Sequence, residues 1–399
     1  MKNEFKLPFY LAFQSLRRGR KWTLFLTILL MAVAFINLIF VSALFNGIVA
    51  GSNQQIIDTL TGNVYMAPKQ GIDYINDKGE LLENVRNLDG VTAATSSFQV
   101  LGRIERNSRS GRWPILAINP KEYAEVINVS EHMYQGEYLD ENDEDKIILG
   151  RQIAGGEGVE MNSTSLKGVS VGDKVNVVFD GSEKTFTVKG IFYTKFIESD
   201  SRAFVTERSL KTIAPPMVGK ATTLNIKSPN KKEEDVLKNV SSLSPDTDAY
   251  LWREAAGLMK SVSSSFTSIN VLMTTVGVII AAVTTFIVIY VDIINRRRQI
   301  GILRAIGIKP YIIVFNYVIL AAVYVTFGIL LGSLIFRFVL VPYFVAHPFE
   351  LPITDAVLNL TWIDYIARVQ IVSWVAVISG FIPAIIVTRA KILDAILGK

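Results

Sequence analysis

Four runs of apolar residues interrupt an otherwise mixed chain: Thr23 to Phe45, Ile269 to Val291, Tyr311 to Phe336, and about Ile366 to Val387. Each approaches the roughly 20 residues that an α-helix needs to cross the hydrocarbon core of a bilayer, so each predicts a membrane span. The fourth carries Arg368 and Gln370 near its start and Pro383 near its end, which blurs its limits. Ahead of the first run, Phe9, Ala12, Phe13 and Leu16 recur at i, i+3, i+4 and i+7, with Arg17, Arg18, Arg20 and Lys21 gathered behind them. That spacing predicts an amphipathic helix lying in the membrane interface. The first run is longer than a signal-peptide core and starts some twenty residues in, so it reads as a permanent signal anchor.

Between the first and second runs the period shifts to that of a folded α/β domain. Strands are predicted at Asn63 to Ala67, at Gln99 to Glu105 and Trp113 to Ile118 as a hairpin around Asn107 to Gly111, and at Lys146 to Ala154, Lys174 to Phe179, Lys184 to Phe192, Arg202 to Thr206 and Thr222 to Lys227. Helices are predicted at Lys78 to Leu88, Lys121 to Val126 and Lys232 to Val240. The order strand then helix opens the segment and closes it. This implies one α/β lobe, about 50–128 and 220–266, with a β-rich lobe, about 129–219, inserted in it. Tyr250 to Phe266 reads as a helical stalk running into the second span.

Basic residues orient the spans, because Lys and Arg are retained on the cytoplasmic side. Lys2, Lys6, Arg17, Arg18, Arg20 and Lys21 precede the first span; Arg296, Arg297, Arg298, Arg304 and Lys309 lie between the second and third; Arg389, Lys391 and Lys399 follow the fourth. Both termini are therefore expected in the cytoplasm. The chain divides into an amphipathic helix over 1–22, spans over 23–49, 268–292, 311–338 and 366–388, an extracytoplasmic domain over 50–267, a cytoplasmic segment over 293–310, an outer loop over 339–365 and a tail over 389–399. The net charge of +5 conceals a division, since Gly51 to Ser265 holds 25 basic and 30 acidic residues, leaving +10 for the remainder. A slightly acidic soluble region excludes nucleic acid as a partner.

The segment after the second run carries the most information. Arg296-Arg297-Arg298 is followed by Gln299-Ile300-Gly301-Ile302-Leu303-Arg304-Ala305-Ile306-Gly307. Ile300, Leu303 and Ile306 fall on one helical face, Gly307 suits a left-handed C′ position, and Ile308 can fold back onto Leu303 before Pro310. The stretch RRRQIGILRAIGIKPYII resembles the cytoplasmic coupling segment of permeases in the macrolide-exporter, lipoprotein-release and FtsX superfamily of ABC transporters. The resemblance implies four transmembrane helices plus a large, two-lobed α/β extracytoplasmic domain. It implies a permease subunit that acts with a dimer of a separate ABC ATPase and with a second permease subunit, in a homo- or heterodimer, in the cytoplasmic (inner) membrane. Arg298, Ile300, Gly301, Leu303, Arg304, Ala305 and Gly307 are the expected ATPase contacts. ATP and magnesium would be bound by that ATPase and no cofactor by this chain.

The phrases IILGRQIA, VGDKVNVVF and FTVKGIF resemble the second lobe of macrolide-exporter permeases, and LFNG at Leu44 to Gly47 resembles the end of the first span in lipoprotein-releasing ones. Those relatives make a lipoprotein, a lipid or another amphiphile the expected substrate. Membrane lipids and an extracytoplasmic partner are then expected contacts, with Phe40, Phe45, Phe266 and Met273 as candidates along the substrate path. The tight hairpin VNVVFDGSEKTFTVKGIF leaves no room for the hook by which one such subunit recruits a periplasmic chaperone. A non-transporting, FtsX-like regulator of a cell-wall hydrolase and a macrolide or peptide efflux permease remain alternatives.

Other chemistry is excluded. Cysteine is absent, and only His132 and His347 are present, neither in a metalloprotease pattern. Gly155-Gly156-Glu157-Gly158 lacks the Gly-Lys-Ser/Thr ending of a phosphate loop, so no nucleotide engine is expected here. The acidic run Glu137 to Asp145 lacks the glycine of a calcium loop. Neither a catalytic residue nor a metal site is expected. Asn37, Asn270 and Asn316 lie near or within spans, where hydrogen bonding between helices is the ordinary role of an amide.

Overall fold

The computed structural model describes residues 6–18, 21–179, 181–229, 232–255, 257–351 and 355–389, with the backbone alone at 6, 18, 213, 257–267, 350, 387 and 389. The chain forms two compact units, one built from its two ends and one from the segment between them, with the boundaries at Ala50/Gly51 and Val262/Ser263.

Among the described residues, four helices are long and apolar enough to cross a membrane: Lys21–Thr61, Ser268–Asn295, Pro310–Ala346 and Trp362–Ile386. A helix satisfies its own backbone polar groups, which the bilayer core cannot do, so apolar runs of this length take that form. Small residues set how closely they approach. A Cβ on Gly328 in the third span would come within 2.6 Å of Met31 Cβ in the first, and one on Gly332 within 3.1 Å of the Ala32 carbonyl oxygen. Gly380 in the fourth span meets Ala321 of the third in the same way, at 2.9 Å. Phe35, Leu38 and Ile39 of the first span, Val325 and Ile329 of the third, and Val372 and Ala376 of the fourth fill the resulting core.

The N-terminal helix, Lys6–Arg18, divides its apolar residues between two surroundings. Ala12 is buried and Leu16 packs beside it, whereas Phe9 and Phe13 are exposed. This corrects the single apolar face expected from the spacing. At a membrane interface the small residue can press on protein while the large rings face lipid.

The other unit is organised by one ten-stranded sheet. Its strands are β1 (Val64–Pro68), β2 (Ala93–Arg106), β3 (Arg109–Ile118), β4 (Met133–Gly136), β5 (Lys146–Gly150), β6 (Lys174–Phe179), β7 (Ser182–Phe192), β8 (Ala203–Thr206), β9 (Thr223–Lys227) and β10 (Thr247–Leu251). At one end, the order β10-β1-β9-β2 with the helices Lys78–Arg86 and Glu233–Ser241 is a β-α-β-β-α-β arrangement split open after β2. Val64, Met66, Leu224, Ile226, Val85 and Val236 form its core. The remaining pairing closes on itself, because β6 joins β7 back to β2, giving a ring β2-β3-β8-β5-β7-β6. Ile104, Ile115, Leu149, Val177, Phe186 and Val188 pack together there. The long strands β2 and β3 belong to both parts.

Three local expectations change. The strand expected over Lys146 to Ala154 ends at Gly150, where its ladder with β7 runs out and Arg151–Ala154 turns as a short helix. The hairpin between β2 and β3 turns on Asn107 and Ser108 alone, with Arg106 opposite Arg109, because Asn107 adopts φ +55° and closes the turn in two residues. Helix does not begin at Tyr250: Thr247–Leu251 pairs antiparallel along the whole of β1, and Tyr250 stacks on Tyr65 with ring centroids 5.3 Å apart. A free strand edge beside β-prone Tyr and Leu outcompetes the helix. Helical structure starts at Trp252–Ala255 and continues as Gly257–Asn295. The turn residue Asp180, the side chain of Phe266 and the tail from residue 390 lie outside the described residues.

Near β8, Asp200 is fully buried. Its Oδ1 accepts hydrogen bonds from the Thr194 amide at 2.8 Å and hydroxyl at 2.9 Å, while Oδ2 has no partner. Burial outweighs these two donors and the Lys195 amide and lifts its pKa to about 7. The unfolded chain releases this proton near pH ~4, while the folded chain holds it to about 7. The fold's preference for the protonated form is therefore fully present below ~4 and is lost as pH rises through about 7, by at most about 1.4 kcal/mol per pH unit. Thermal unfolding followed from pH 4 to 8 should show this loss, and Asp200→Asn should flatten it. An unchanged slope in the variant would assign the effect to other groups.

Candidate functional site

Two places in the helical unit gather polar and charged side chains. The first is the nine-residue helix Arg297–Ala305 between the second and third spans. It follows an ion pair: Arg296 Nε donates to Asp292 Oδ1 at 3.0 Å, with both side chains largely buried. Its end is sealed by two backbone bonds, from the Gly307 amide to the Arg304 carbonyl and from the Ile308 amide to the Leu303 carbonyl, each 3.1 Å. Gly307 sits at φ +93°. This is the Schellman pattern, which a left-handed glycine permits and which draws the following apolar residue back onto the helix. Ile308 and Leu303 accordingly border one apolar cluster with Ile289, Ile293, Ile313 and Tyr317.

The helix does not turn all its expected contact residues outward. Ile300 is 2% exposed and Gly301 is buried, both within the chain's own core, and Leu303 is half-buried. Ile300, Leu303 and Ile306 therefore do not share an exposed face. The outward surface holds Arg298, Ala305 and Gly307 from the expected set, together with Ile302 and Ile306, which are 48% and 70% exposed. Half-buried Arg304 borders an apolar cavity of about 650 Å³, whose walls include Pro8, Tyr311, Phe315, Phe381 and Ile385.

The second place joins the first, second and fourth spans. Asn46 donates through Nδ2 to Asp364 Oδ2 at 2.9 Å and accepts from Asn270 Nδ2 at 3.1 Å. Arg368 donates through Nη2 to the Ser42 hydroxyl at 3.1 Å and to the Thr274 hydroxyl at 3.2 Å. Its Nε is buried without a partner. Asp364 also accepts from Thr361, whose hydroxyl receives the Asp364 amide in turn. Gly47 lies so close to the segment after the third span that a Cβ there would fall 1.9 Å from the Val357 carbonyl oxygen. The glycine of the LFNG phrase thus marks a close approach of two backbones.

This network was not recognised from the sequence, although a signal was present. Ser42/Asn46, Asn270/Thr274 and Asp364/Arg368 are each polar pairs four residues apart, so each pair occupies one face of its helix. Of the amides expected to join helices, Asn270 does so; Asn316 is buried with Oδ1 unpartnered. Asn37 is exposed. Among the path candidates, Phe40 packs on Phe344 at 5.5 Å between centroids, Phe45 is half-buried and Met273 is exposed.

Elsewhere, Asp140 and Asp143 both accept from Lys189, at 2.8 and 2.7 Å, and Asp145 pairs with Lys184. The acidic loop is clamped by lysines. Among the described residues no group of three or more acidic or histidine side chains is arranged to hold a metal ion. His347 stacks on Tyr343 at the surface.

Comparison with known proteins matches two families to successive parts of the chain. The MacB-like periplasmic core domain family matches residues 24–240, and the FtsX-like permease C-terminal family matches residues 271–392. No curated protein sequence matches the chain. Among solved structures, the extracellular domain of the noncanonic ABC-type transporter YknZ from Gram-positive bacteria is similar at 15% identity, covering 47% of this chain and 97% of that one, with a TM-score of 0.35. The periplasmic region of MacB from Actinobacillus actinomycetemcomitans is similar at 12% identity, covering 51% and 94%, with a TM-score of 0.36. With one family spanning more than half of its length and a second spanning most of the remainder, the chain belongs to the MacB/FtsX-like permeases and is a multi-pass permease subunit of an ABC transporter.

Proposed function

We propose that the chain couples ATP hydrolysis by a separate ABC ATPase dimer to movement of its α/β unit on the far side of a cytoplasmic membrane. Both termini and the short basic helix lie on the ATPase side in this reading, as the clustered Arg and Lys residues favour. The observation that carries the reading is the construction of Arg297–Ala305. One face is locked into the ends of the second and third spans by Ile300, Gly301 and Leu303, and the other offers Arg298, Ile302, Ala305, Ile306 and Gly307 outward. Exposed isoleucines beside arginine have the composition of a docking surface, with an apolar centre and a charged rim. Force applied there reaches Ile293 and Ile313 through packed side chains, without a flexible link. ATP and magnesium stay with the ATPase.

A second permease subunit completes the machine. Asn37 supports this, since its amide is exposed in the middle of the first span, where facing hydrocarbon is costly and facing another polypeptide is not. The substrate is a lipoprotein, lipid or other amphiphile leaving the bilayer beside the first and second spans, along which Phe40, Phe45, Phe266 and Met273 lie. Those spans are tied by hydrogen bonds from Asn270 to Asn46, at 3.1 Å, and from the Thr285 hydroxyl to Met31 Sδ, at 3.4 Å, contacts weak enough to part during a transport cycle.

Affinity purification of the tagged chain from its native membranes in mild detergent should recover an ABC ATPase with measurable activity. Ile302→Asp/Ile306→Asp should cut that recovery at least tenfold with little change in melting temperature, because both positions are exposed. Ile300→Ala should instead lower stability by about 2–4 kcal/mol, as for other buried aliphatic truncations. Recovery of the chain without any ATPase would sink the coupling role. Gly307→Val should weaken ATPase recovery and Gly307→Asn should largely retain it, since asparagine tolerates a positive φ and a β-branched residue does not. Equal effects of the two substitutions would remove the left-handed cap from the account.

A further inference from the structure

In the α/β unit, one face of β1, β9 and β2 follows the alternation of a half-buried sheet. Val64, Met66, Leu224, Ile226 and Ala94 point into the core. Tyr65, Thr223, Asn225, Thr95, Ser97 and Gln99 take the opposite face, which that pattern assigns to water. Yet Thr95, Ser97 and Asn225 are only 0, 3 and 3% exposed. A polar sheet face that is covered rather than solvated requires partners, and one of its groups lacks one. Thr95 Oγ1 is buried without a hydrogen bond.

What covers this face is itself polar. A pocket of about 150 Å³ lies over it, bounded by Tyr65, Ser97, Thr223 and Asn225 from the strands, Tyr123 from the helix Pro120–Val126, and Arg202. Glu198 lies at its exposed edge. Asn225 is held in place by donating to the Thr61 carbonyl at 3.0 Å. Arg202 forms neither an ion pair nor a side-chain hydrogen bond with any described residue. The protein packed around it holds its guanidinium below the usual arginine range, and burial pushes the Tyr123 hydroxyl up to about 12. At neutral pH the pocket thus contains a half-buried cation, with Glu198 as its acidic neighbour, and a protonated hydroxyl, and neither makes a side-chain hydrogen bond with a described residue.

We propose that this pocket binds a small carboxylate, most favourably a zwitterionic α-amino acid. The guanidinium of Arg202 takes the carboxylate through its paired N–H groups, with the hydroxyls of Tyr123 and Ser97 as further donors, and Glu198 at the rim takes the ammonium group. The volume suits such a ligand, being about five times the roughly 30 Å³ that one water occupies in the liquid. Donors that line the pocket without a side-chain hydrogen bond to a described residue are the source of affinity, because each gains a partner when a carboxylate enters.

The test is calorimetric titration and thermal shift of the full-length chain in detergent with glycine, alanine, serine, acetate, glycinamide and methylamine. Glycine, alanine or serine should bind and raise the melting temperature, acetate should bind more weakly, and glycinamide and methylamine should not bind. Arg202→Gln should abolish binding. Tyr123→Phe removes only an unpartnered hydroxyl, so it should fold normally and weaken binding about five- to tenfold. Glu198→Gln should bring amino-acid affinity down to that of acetate. Absence of binding by every carboxylate at millimolar concentration would overturn the proposal, as would binding that Tyr123→Phe leaves unchanged. Equal affinity for glycine and acetate in the unaltered chain would overturn the zwitterion assignment.

Discussion

A short helix can pass force into a membrane bundle only if it cannot roll or slide on its own base, and the burial of Ile300 and Gly301 meets that condition. Every other feature of this end of the helical unit follows from it. With those residues committed to the core, Ile302 and Ile306 are left outside, and the Schellman closure at Gly307 prevents the last turn from fraying into the start of the third span. The Asp292–Arg296 pair fixes the other end and supplies a partner for a carboxylate that would otherwise be costly at the end of a membrane helix.

The bundle behind this helix is rigid where glycine lets backbones touch and tied where polar pairs meet. Gly328, Gly332 and Gly380 bring the third span against the first and fourth. Ser42, Asn46, Asn270, Thr274, Asp364 and Arg368 hold three spans together by hydrogen bonds rather than by shape. Packing of the first kind transmits displacement, whereas a hydrogen-bonded network has alternative partners and can rearrange. The division suits a machine that must move at one end in response to a push at the other.

Much of this was legible in the residues. The four spans, the left-handed Gly307, the return of Ile308 onto Leu303 and most strands follow from local spacing, because each depends on a period or on a backbone preference carried by one residue. What the sequence did not reveal depends on tertiary competition. Tyr250 and Leu251 open the expected helical stalk but lie beside a free strand edge, and Ile300 and Ile306 share a helical stripe yet are 2% and 70% exposed. The polar network required partners from helices more than 200 residues apart in sequence, as with Asn46 and Asn270. The covered polar face of β1, β9 and β2 was hidden for the opposite reason: its alternation is that of an ordinary solvated strand.

The chain contains no cysteine, so a single introduced thiol is a unique reporter of where the ATPase sits. The central claim is tested most directly by placing one cysteine at Ile302, Ile306 or Ile300, attaching a short photo-crosslinker, and identifying adducts in native membranes by mass spectrometry. The account predicts adducts with an ABC ATPase from positions 302 and 306 and none from position 300. Adducts from 300 but not 306, or labelled chain at 302 and 306 that never reaches an ATPase, would contradict it.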